Sequence, residues 1–560
     1  MRERRLGVGR RLGERAAGRS GRSRGKGRDQ RQEDLQFQKL IEVGIALSAE
    51  TNHNRLMERI LEEAKAMCHA DGGTLYLRGE DDTLSFAIML NDSMSIAMGG
   101  TTGKEIPFPP LPLYDPESGQ PNHHNVATHV ALDGTSVNVT DAYETDVFDF
   151  SGAKKFDADT GYRSKSFLTV PLKNYDQDVI GVLQLINARN PQTHEVAPFD
   201  YGLEPIIEAL ASQAAVALDN QLLLEKQRKL LESFIQVIAS AIDAKSPYTG
   251  GHCQRVPVIA ELLAQAACDS TSGPYRDFTQ SEDERYELYI ASWLHDCGKV
   301  TTPEYVVDKA TKLETIYDRV ETVKTRLEVL KRDVEIVYLK AVTVPGADVP
   351  ALRDEFEARL AELDGHGAFL ESANLGGEFM ADGMIERVQE IAALSWRDAS
   401  GREQPFLSEN EVYNLSIRRG TLTDEEREVI NNHIVMTIEM LEQLPFPKTL
   451  VRVPEFAGGH HEKLDGTGYP QGLTGEHMSA PARMMAIADI FEALTAADRP
   501  YKQAKTLTES LRIMSFMVKD EHIDGELFRL FLEGGVYQRY AEDHLKPEQI
   551  DEVDIADYLA

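Results

Sequence analysis

The chain has 560 residues, enough for two to four domains, and its 42% hydrophobic and 27% charged residues are the proportions of an ordinary globular protein. It contains no apolar run of the ~18 residues that a membrane span needs and no charged start followed by a short apolar stretch, so a cytoplasmic protein is expected. Residues 1–32 carry 12 Lys+Arg against 3 Asp+Glu, a surplus of +9, which leaves −41 on the rest of a chain whose net charge is −32. So acidic a body argues against a nucleic-acid polymer as partner, and any phosphate substrate needs local cations or metals to approach it.

The first 33 residues are Arg/Gly/Ser-rich and too poor in apolar side chains to fold alone, so a disordered basic tail is expected. From about 34 to 66, Leu40, Val43, Ala46, Leu56, Ile60 and Ala64 recur at helical spacing and predict one helix. Short strands follow. Gly73–Leu77 and Leu84–Ile88 flank an acidic turn, and Phe167–Leu172 and Val179–Ile186 flank Asn174–Asp178 as a hairpin. A second helix begins near Phe199 and carries Ile206, Ile207, Leu210, Ala214 and Leu218. Helix, antiparallel strands, helix make an α+β domain over residues 34–222. Asn138–Tyr143, Thr160–Ser166 and the hairpin ending Leu185-Ile-Asn187 resemble a GAF domain, the small-molecule sensor module, in the form found in cyclic-nucleotide phosphodiesterases. Asn187, Phe199 and Glu204 match that form's signature, whereas Ala188 stands where Lys is expected and Leu203 where Asp is. The resemblance implies a small-molecule ligand whose identity stays open, or else a GAF fold used only for dimerisation.

Residues 223–245 continue as a linking helix. Leu224, Leu231, Ile235, Ile238 and Ile242 form a seam suited to a parallel helical pair, the alternative being a single connecting helix packed on its own domain; a homodimer is expected. The four cysteines (Cys68, Cys253, Cys268 and Cys297) are scattered and read as free thiols.

Beyond residue 245 the chemistry-bearing residues come in five segments: Tyr248–Arg255 with His252; Ala291–Lys299 with His295, Asp296 and Lys299; Val429–His433; Gly458–Pro470 with His460, His461 and Lys463; and Met485–Asp489. Each of His252, His433 and Asp489 alone reads as an ordinary helical side chain. His295-Asp296 is sharper, because the apolar stretch before it carries an imidazole and a carboxylate inward, which is costly unless they are paired or bind metal. Taken together, His295-Asp296 with Lys299, His460-His461-Glu462 with Gly468-Tyr469-Pro470, and Ala488-Asp489 with Arg499-Pro500-Tyr501 resemble the HD-GYP branch of the HD phosphohydrolases. The resemblance covers roughly residues 225–310 and 419–530 and implies an all-α domain over 246–560. It implies His252, His295, Asp296, His433, His460, His461 and Asp489 as metal ligands, with Asp296 bridging two ions and Lys299 neutralising phosphoryl charge. Imidazole with carboxylate suits Fe or Mn. Tyr248 occupies the position where some members carry a Glu for a third ion, so two divalent ions are expected. The implied substrate is cyclic di-GMP, opened to the linear dinucleotide or cut to GMP, with Lys463, Arg499 and Lys502 as contacts. Another phosphate ester as substrate, or a silent cyclic-dinucleotide-binding scaffold, are the alternatives.

About 110 residues, roughly 310–418, interrupt the family's spacing. Leu313, Ile316, Val320, Val323, Leu327, Leu330, Val334 and Val337 alternate by three and four and predict a four-heptad helix. After Pro345–Pro350, Leu352, Phe356, Leu360 and Leu363 supply a second stripe, so a protruding antiparallel helical hairpin is expected.

Overall fold

The computed structural model describes residues 38–79, 81–245, 251–377, 379–497 and 504–559. The expected basic tail, Tyr248, Arg499 and Lys502 lie outside the described residues. The chain divides into two units, Met1–Lys229 and Leu230–Ala560. Among the described residues no helix is long and apolar enough to cross a membrane.

The first unit begins with two helices where the periodicity predicts one. Residues 38–48 form the first; the second, His53–Cys68, starts at Asn52, whose side chain accepts the Arg55 amide proton at 3.0 Å. Such a cap is worth about 1 kcal/mol and overrides an apolar repeat that runs through it. The strands are β1 (Ala70–Arg78), β2 (Thr83–Asn91), β3 (Ile96–Gly99), β4 (Leu111–Pro112), β5 (Val137–Val139), β6 (Phe167–Lys173), β7 (Val179–Arg189) and β8 (Val196–Ala197). They form one antiparallel sheet in the order β3-β2-β1-β7-β6-β5, with β4 beside β2 and β8 beside β7. Both predicted hairpins are present. In the β6–β7 turn the Asn174 side chain accepts the amides of Asp176 and Asp178 and so fixes the register. One sheet face packs the helices through Leu56, Ile60, Leu61, Leu185, Ile207, Leu210 and Ala214. The other supports the helix Val126–Asp133 through Val126, Ala127 and Val130.

That second face also holds a cavity of about 520 Å³. Tyr76, Phe86, Phe108 and Phe156 wall it in successive ring contacts of 4.8, 5.5 and 6.4 Å, and Gln184 and Ser164 are among its polar groups. Asn187, which matched the cyclic-nucleotide form of the family, works as a bracket instead. In a left-handed conformation (φ 57°), it accepts the amides of Lys165 and Ser166 and donates to the Arg163 carbonyl and the Tyr162 hydroxyl.

A 40-residue helix, Glu204–Asp243, continues into the second unit. Two of the five predicted seam residues, Ile235 and Ile242, are buried in that unit's core, whereas Leu224, Leu231 and Ile238 are exposed. The core is otherwise built chiefly from the helices His252–Cys268, Glu282–Leu294, Asp424–Glu442, Val453–Gly458, Ala480–Thr495, Leu507–Lys519, Gly525–Glu533 and Val536–His544.

Between Lys309 and Thr421 stands a separate apolar cluster. The helices Val320–Val342 and Val349–Asn374 pair as the expected hairpin, with Tyr338 stacked on Phe356 at 4.7 Å. Two expectations fail here. Leu313 and Ile316 precede the helix: Leu313 is buried in a turn and Ile316 is 96% exposed, so the heptad run is shorter than its sequence repeat. The insertion is also more than a hairpin. The helix Asp382–Ala392, the ribbon Ser395–Arg397 with Glu403–Pro405, and the helix Glu409–Leu415 give it a core of its own through Val388, Ile391, Phe406, Leu407 and Leu415.

Candidate metal centre

Five helices bring one functional segment each to a common point. His252 opens the helix His252–Cys268. His295 closes Glu282–Leu294, whose start is fixed by a Ser281/Glu284 capping box, and Asp296 begins the tight turn that follows. His433 lies within Asp424–Glu442, itself started by a Thr423/Glu426 box. His460 and His461 follow the short helix Val453–Gly458, and Asp489 lies within Ala480–Thr495. The turn carrying Asp296 can approach the His433 helix only because residue 298 is glycine: a Cβ there would fall 1.9 Å from the His433 carbonyl oxygen. The Gly298 amide also donates to Thr437 Oγ1 at 2.9 Å.

The imidazoles are oriented by their outer nitrogens. His295 Nδ1 donates to the Ser292 carbonyl at 2.7 Å and His460 Nδ1 to that of Ala457 at 2.6 Å. His433 Nδ1 donates to the Ile430 carbonyl, and His252 Nδ1 meets the Glu492 carboxylate. In each ring Nε2 is thereby left as the inward-facing donor atom, the arrangement metal-binding histidines require. His252 Nε2 lies 3.2 Å from His295 Nε2 and 3.2 Å from Asp489 Oδ1. His433, His460 and His461 form a second group whose donor atoms lie within 4.8 Å of one another. Asp296 faces both groups. Its Oδ2 is 3.4 Å from His252 and 3.3 Å from His295, while its Oδ1 is 3.2 Å from His433.

His252, His295, Asp296, His433 and His460 are buried, His461 and Asp489 are half-buried, and three inward atoms (Asp296 Oδ1, His433 Nε2 and His460 Nε2) have no hydrogen-bond partner among the described residues. Orphaned buried polar atoms are expensive in a protein interior. Three of them converging from three helices fit a cation, and the donor set is that of a divalent transition metal. The charges here act on one another: against its burial, His252 is driven well above its ordinary value by Glu492, Asp296 and Asp489. Burial alone pushes the Asp296 carboxyl up, but Lys299, His295 and His252 outweigh it and hold it well below the usual range. Asp489 is likewise driven down against its burial, chiefly by His252. Burial and the neighbouring His461 hold His460 well below its ordinary value, and burial pushes His461 to about 4, so both rings are neutral at neutral pH.

All seven ligands expected from the sequence thus meet at one place, and Lys299 reaches Asp296 directly. Lys463 sits on the following loop, where its charge acts on Asp465 and His522. The sequence reading missed Glu492. This carboxylate, 1% exposed, receives His252 on one oxygen and Arg255 Nε (2.7 Å) on the other. Its signal was its position one turn after Asp489 on the same helix. Glu462 was quoted only as part of a motif. It is buried and accepts the amides of Gln471 (2.7 Å) and Leu473 (2.9 Å), tying down the loop whose Tyr469 stacks on His461.

A family model described as a GAF domain matches residues 52–218, and one described as an HD domain matches 409–527. The HD match takes in His433, His460, His461 and Asp489; His252, His295 and Asp296 lie ahead of it, beyond the insertion. Similar proteins include 3'3'-cGAMP-specific phosphodiesterase 3 of Vibrio cholerae, 26% identical over 51% of this chain and 35% of that protein. 3'3'-cGAMP-specific phosphodiesterase 1 of the same organism is 41% identical over 20% of this chain and 24% of its own length. Cyclic di-GMP phosphodiesterase PA4108 of Pseudomonas aeruginosa is 38% identical over 21% and 28%. The chain therefore spans about a third or less of the curated relatives it matches. A sheet domain with helices on both faces, a helical domain centred on His295-Asp296 and His460-His461, and these matches together make the chain a GAF domain joined to an HD domain.

Proposed function

We propose that the second unit is a metal-dependent phosphodiesterase that hydrolyses cyclic di-GMP to the linear dinucleotide or GMP. The carrying observation is Asp296, whose two oxygens face two separate groups of donors. That arrangement supports a pair of divalent ions, iron or manganese by donor type, with His252, His295 and Asp489 on one side and His433, His460 and His461 on the other. Bound there, such a pair supplies a nucleophilic water at neutral pH and neutralises charge on the phosphoryl oxygens. The protein's own residues do the rest. The carbonyls of Ser292, Ile430 and Ala457 hold the imidazoles in one tautomer. Lys299, kept protonated by Asp296 and Asp489 against its burial, places a positive charge at the edge of the site. Lys463, Arg499 and Lys502 remain the proposed substrate contacts.

The aromatic cavity of the first unit supports a small-molecule sensor role for the GAF domain. Leu230, Leu231, Phe234, Val237 and Ile238, all exposed on one helix, support a homodimer. The decisive experiment is chromatography of products after incubating the metal-loaded chain with cyclic di-GMP and, separately, 3'3'-cGAMP. Linear dinucleotide or GMP from cyclic di-GMP is expected. Bound metal with no turnover of cyclic di-GMP, while a generic phosphodiester is cleaved, sinks this reading.

A further inference from the structure

We propose that the first unit carries a second, independent site for a divalent transition-metal ion, formed by His123, His129 and Asp133. His129 and Asp133 lie one turn apart on the helix Val126–Asp133, and His123 comes from the loop that leads into it. His123 Nδ1 is 3.1 Å from His129 Nδ1 and 3.7 Å from Asp133 Oδ1, and one ligand atom from each of the three residues lies within 4.8 Å of the others. Two imidazole nitrogens sharing one ion at ~2.1 Å lie ~3.0–3.4 Å apart, so the two histidines already stand at ligating separation through Nδ1, with the Asp133 carboxylate beside them. Imidazole with one carboxylate is the donor set of zinc, nickel, copper and iron. The side chains are between a quarter and a half exposed, which leaves an entry path and room for water to complete the coordination.

The loop is built, not slack. The Asn122 amide donates to the Leu113 carbonyl at 2.8 Å, and the Asn122 side chain donates to that of Pro112. Thr128 Oγ1 donates to the Asn122 carbonyl at 2.6 Å, and Asn125 caps the helix through the Ala127 amide. The His129 ring rests edge-on against Phe148 at 5.1 Å. These contacts hold both histidines toward each other at little further ordering cost. The same loop walls the aromatic cavity with Asn125 and Val126, and the His124 carbonyl accepts the amide of Asp149, another wall residue. An ion here therefore fastens one side of the cavity and couples metal supply to whatever the cavity binds.

The test is the zinc content of the full chain after equilibrium dialysis, combined with hydrogen exchange of residues 122–133. Wild type is expected to hold one ion more per chain than His123→Gln/His129→Gln, and to slow exchange across 122–133 when zinc is added. Asp133→Asn is expected to weaken that ion about tenfold, while His124→Gln leaves it unchanged. If the double variant does not fold, His123→Gln alone, on a half-exposed side chain, gives the same comparison. Equal zinc content in wild type and variant, or zinc protection confined to the second unit, overturns the proposal. Because the comparison is a difference between variants at this loop, it stands whether or not the HD centre hydrolyses cyclic di-GMP.

Discussion

The metal centre and the insertion both bury charge inside the second unit, but they settle it differently. In the insertion Lys309 and Arg326 each have a carboxylate fixed upon them. Lys309 meets Glu426 and Asn414, and Arg326 forms a two-pronged bond with Glu411 at 2.7 and 2.8 Å. At the candidate metal centre the partners are arranged around the outside, and the inward atoms of Asp296, His433 and His460 face one another without hydrogen bonds among the described residues. Closed pairs specify a shape, whereas an open cluster of donors waits for something to bind.

The comparison can be broken first at Asp296. Replacing it with alanine removes the one side chain shared by both donor groups. Loss of bound metal and a fall in hydrolysis of at least about 10³-fold are expected, by metal analysis and product assay. Retained turnover would mean the cluster is structural. Next is Arg326→Leu, which strands Glu411 as a buried charge. A loss of about 3 kcal/mol in hydrogen-exchange protection across residues 320–374 is expected, with metal content untouched. Glu492→Gln keeps the shape but weakens the hold on His252. Metal affinity should drop about 10–100-fold with the fold intact, measured by competition with a chelator.

The smallest effect sharpens the contrast. Lys312 is buried like Lys309, yet among the described residues its ammonium meets only the Leu415 carbonyl and Met380 Sδ, both at 3.1 Å, and burial pushes it down to about 8. A lysine lowered in this way costs stability below about pH 8, and the cost fades as pH rises toward its unfolded value near 10.5. Lys312→Met should stabilise the insertion by about 1–2 kcal/mol at pH 7 and by progressively less above pH 8. A gain that does not change with pH would assign the effect to packing alone.

Much of the centre was legible in the chain because its donors are rare residue types in tight doublets, and the apolar stretch before His295 announced their burial. Glu492 was not, since a glutamate one helical turn from a ligand looks like any surface acid until the His252 ring is seen against it. The sheet could be read from its hairpin turns, but the cavity could not: Phe86, Phe108 and Phe156 come from segments far apart in sequence, and periodicity says nothing about a void between them. Apolar repeats also overran their helices twice. At Asn52 a cap outweighed the repeat, and at Leu313–Ile316 a turn did. At Asn52 the side chain accepts the Arg55 amide, and at Leu313 the Asn374 side chain accepts the Leu313 amide, so backbone hydrogen bonding delays the helix that hydrophobic spacing alone would have run through.

The way the insertion is fastened has a consequence for how the protein is made. His433 follows Asp296 by 137 residues, so at the usual ~5–20 residues per second the two are synthesised roughly 7–27 s apart. Bringing the ends of an unstructured segment of about 110 residues together would cost roughly 4 kcal/mol in chain entropy. Here the insertion has a core of its own, and its ends are clasped where Thr421 Oγ1 donates to the Lys309 carbonyl and Lys309 Nζ meets Glu426. Once that core has condensed, the ends arrive together already. The insertion then acts during synthesis as a built-in splint, delivering the second half of the ligand set to the first.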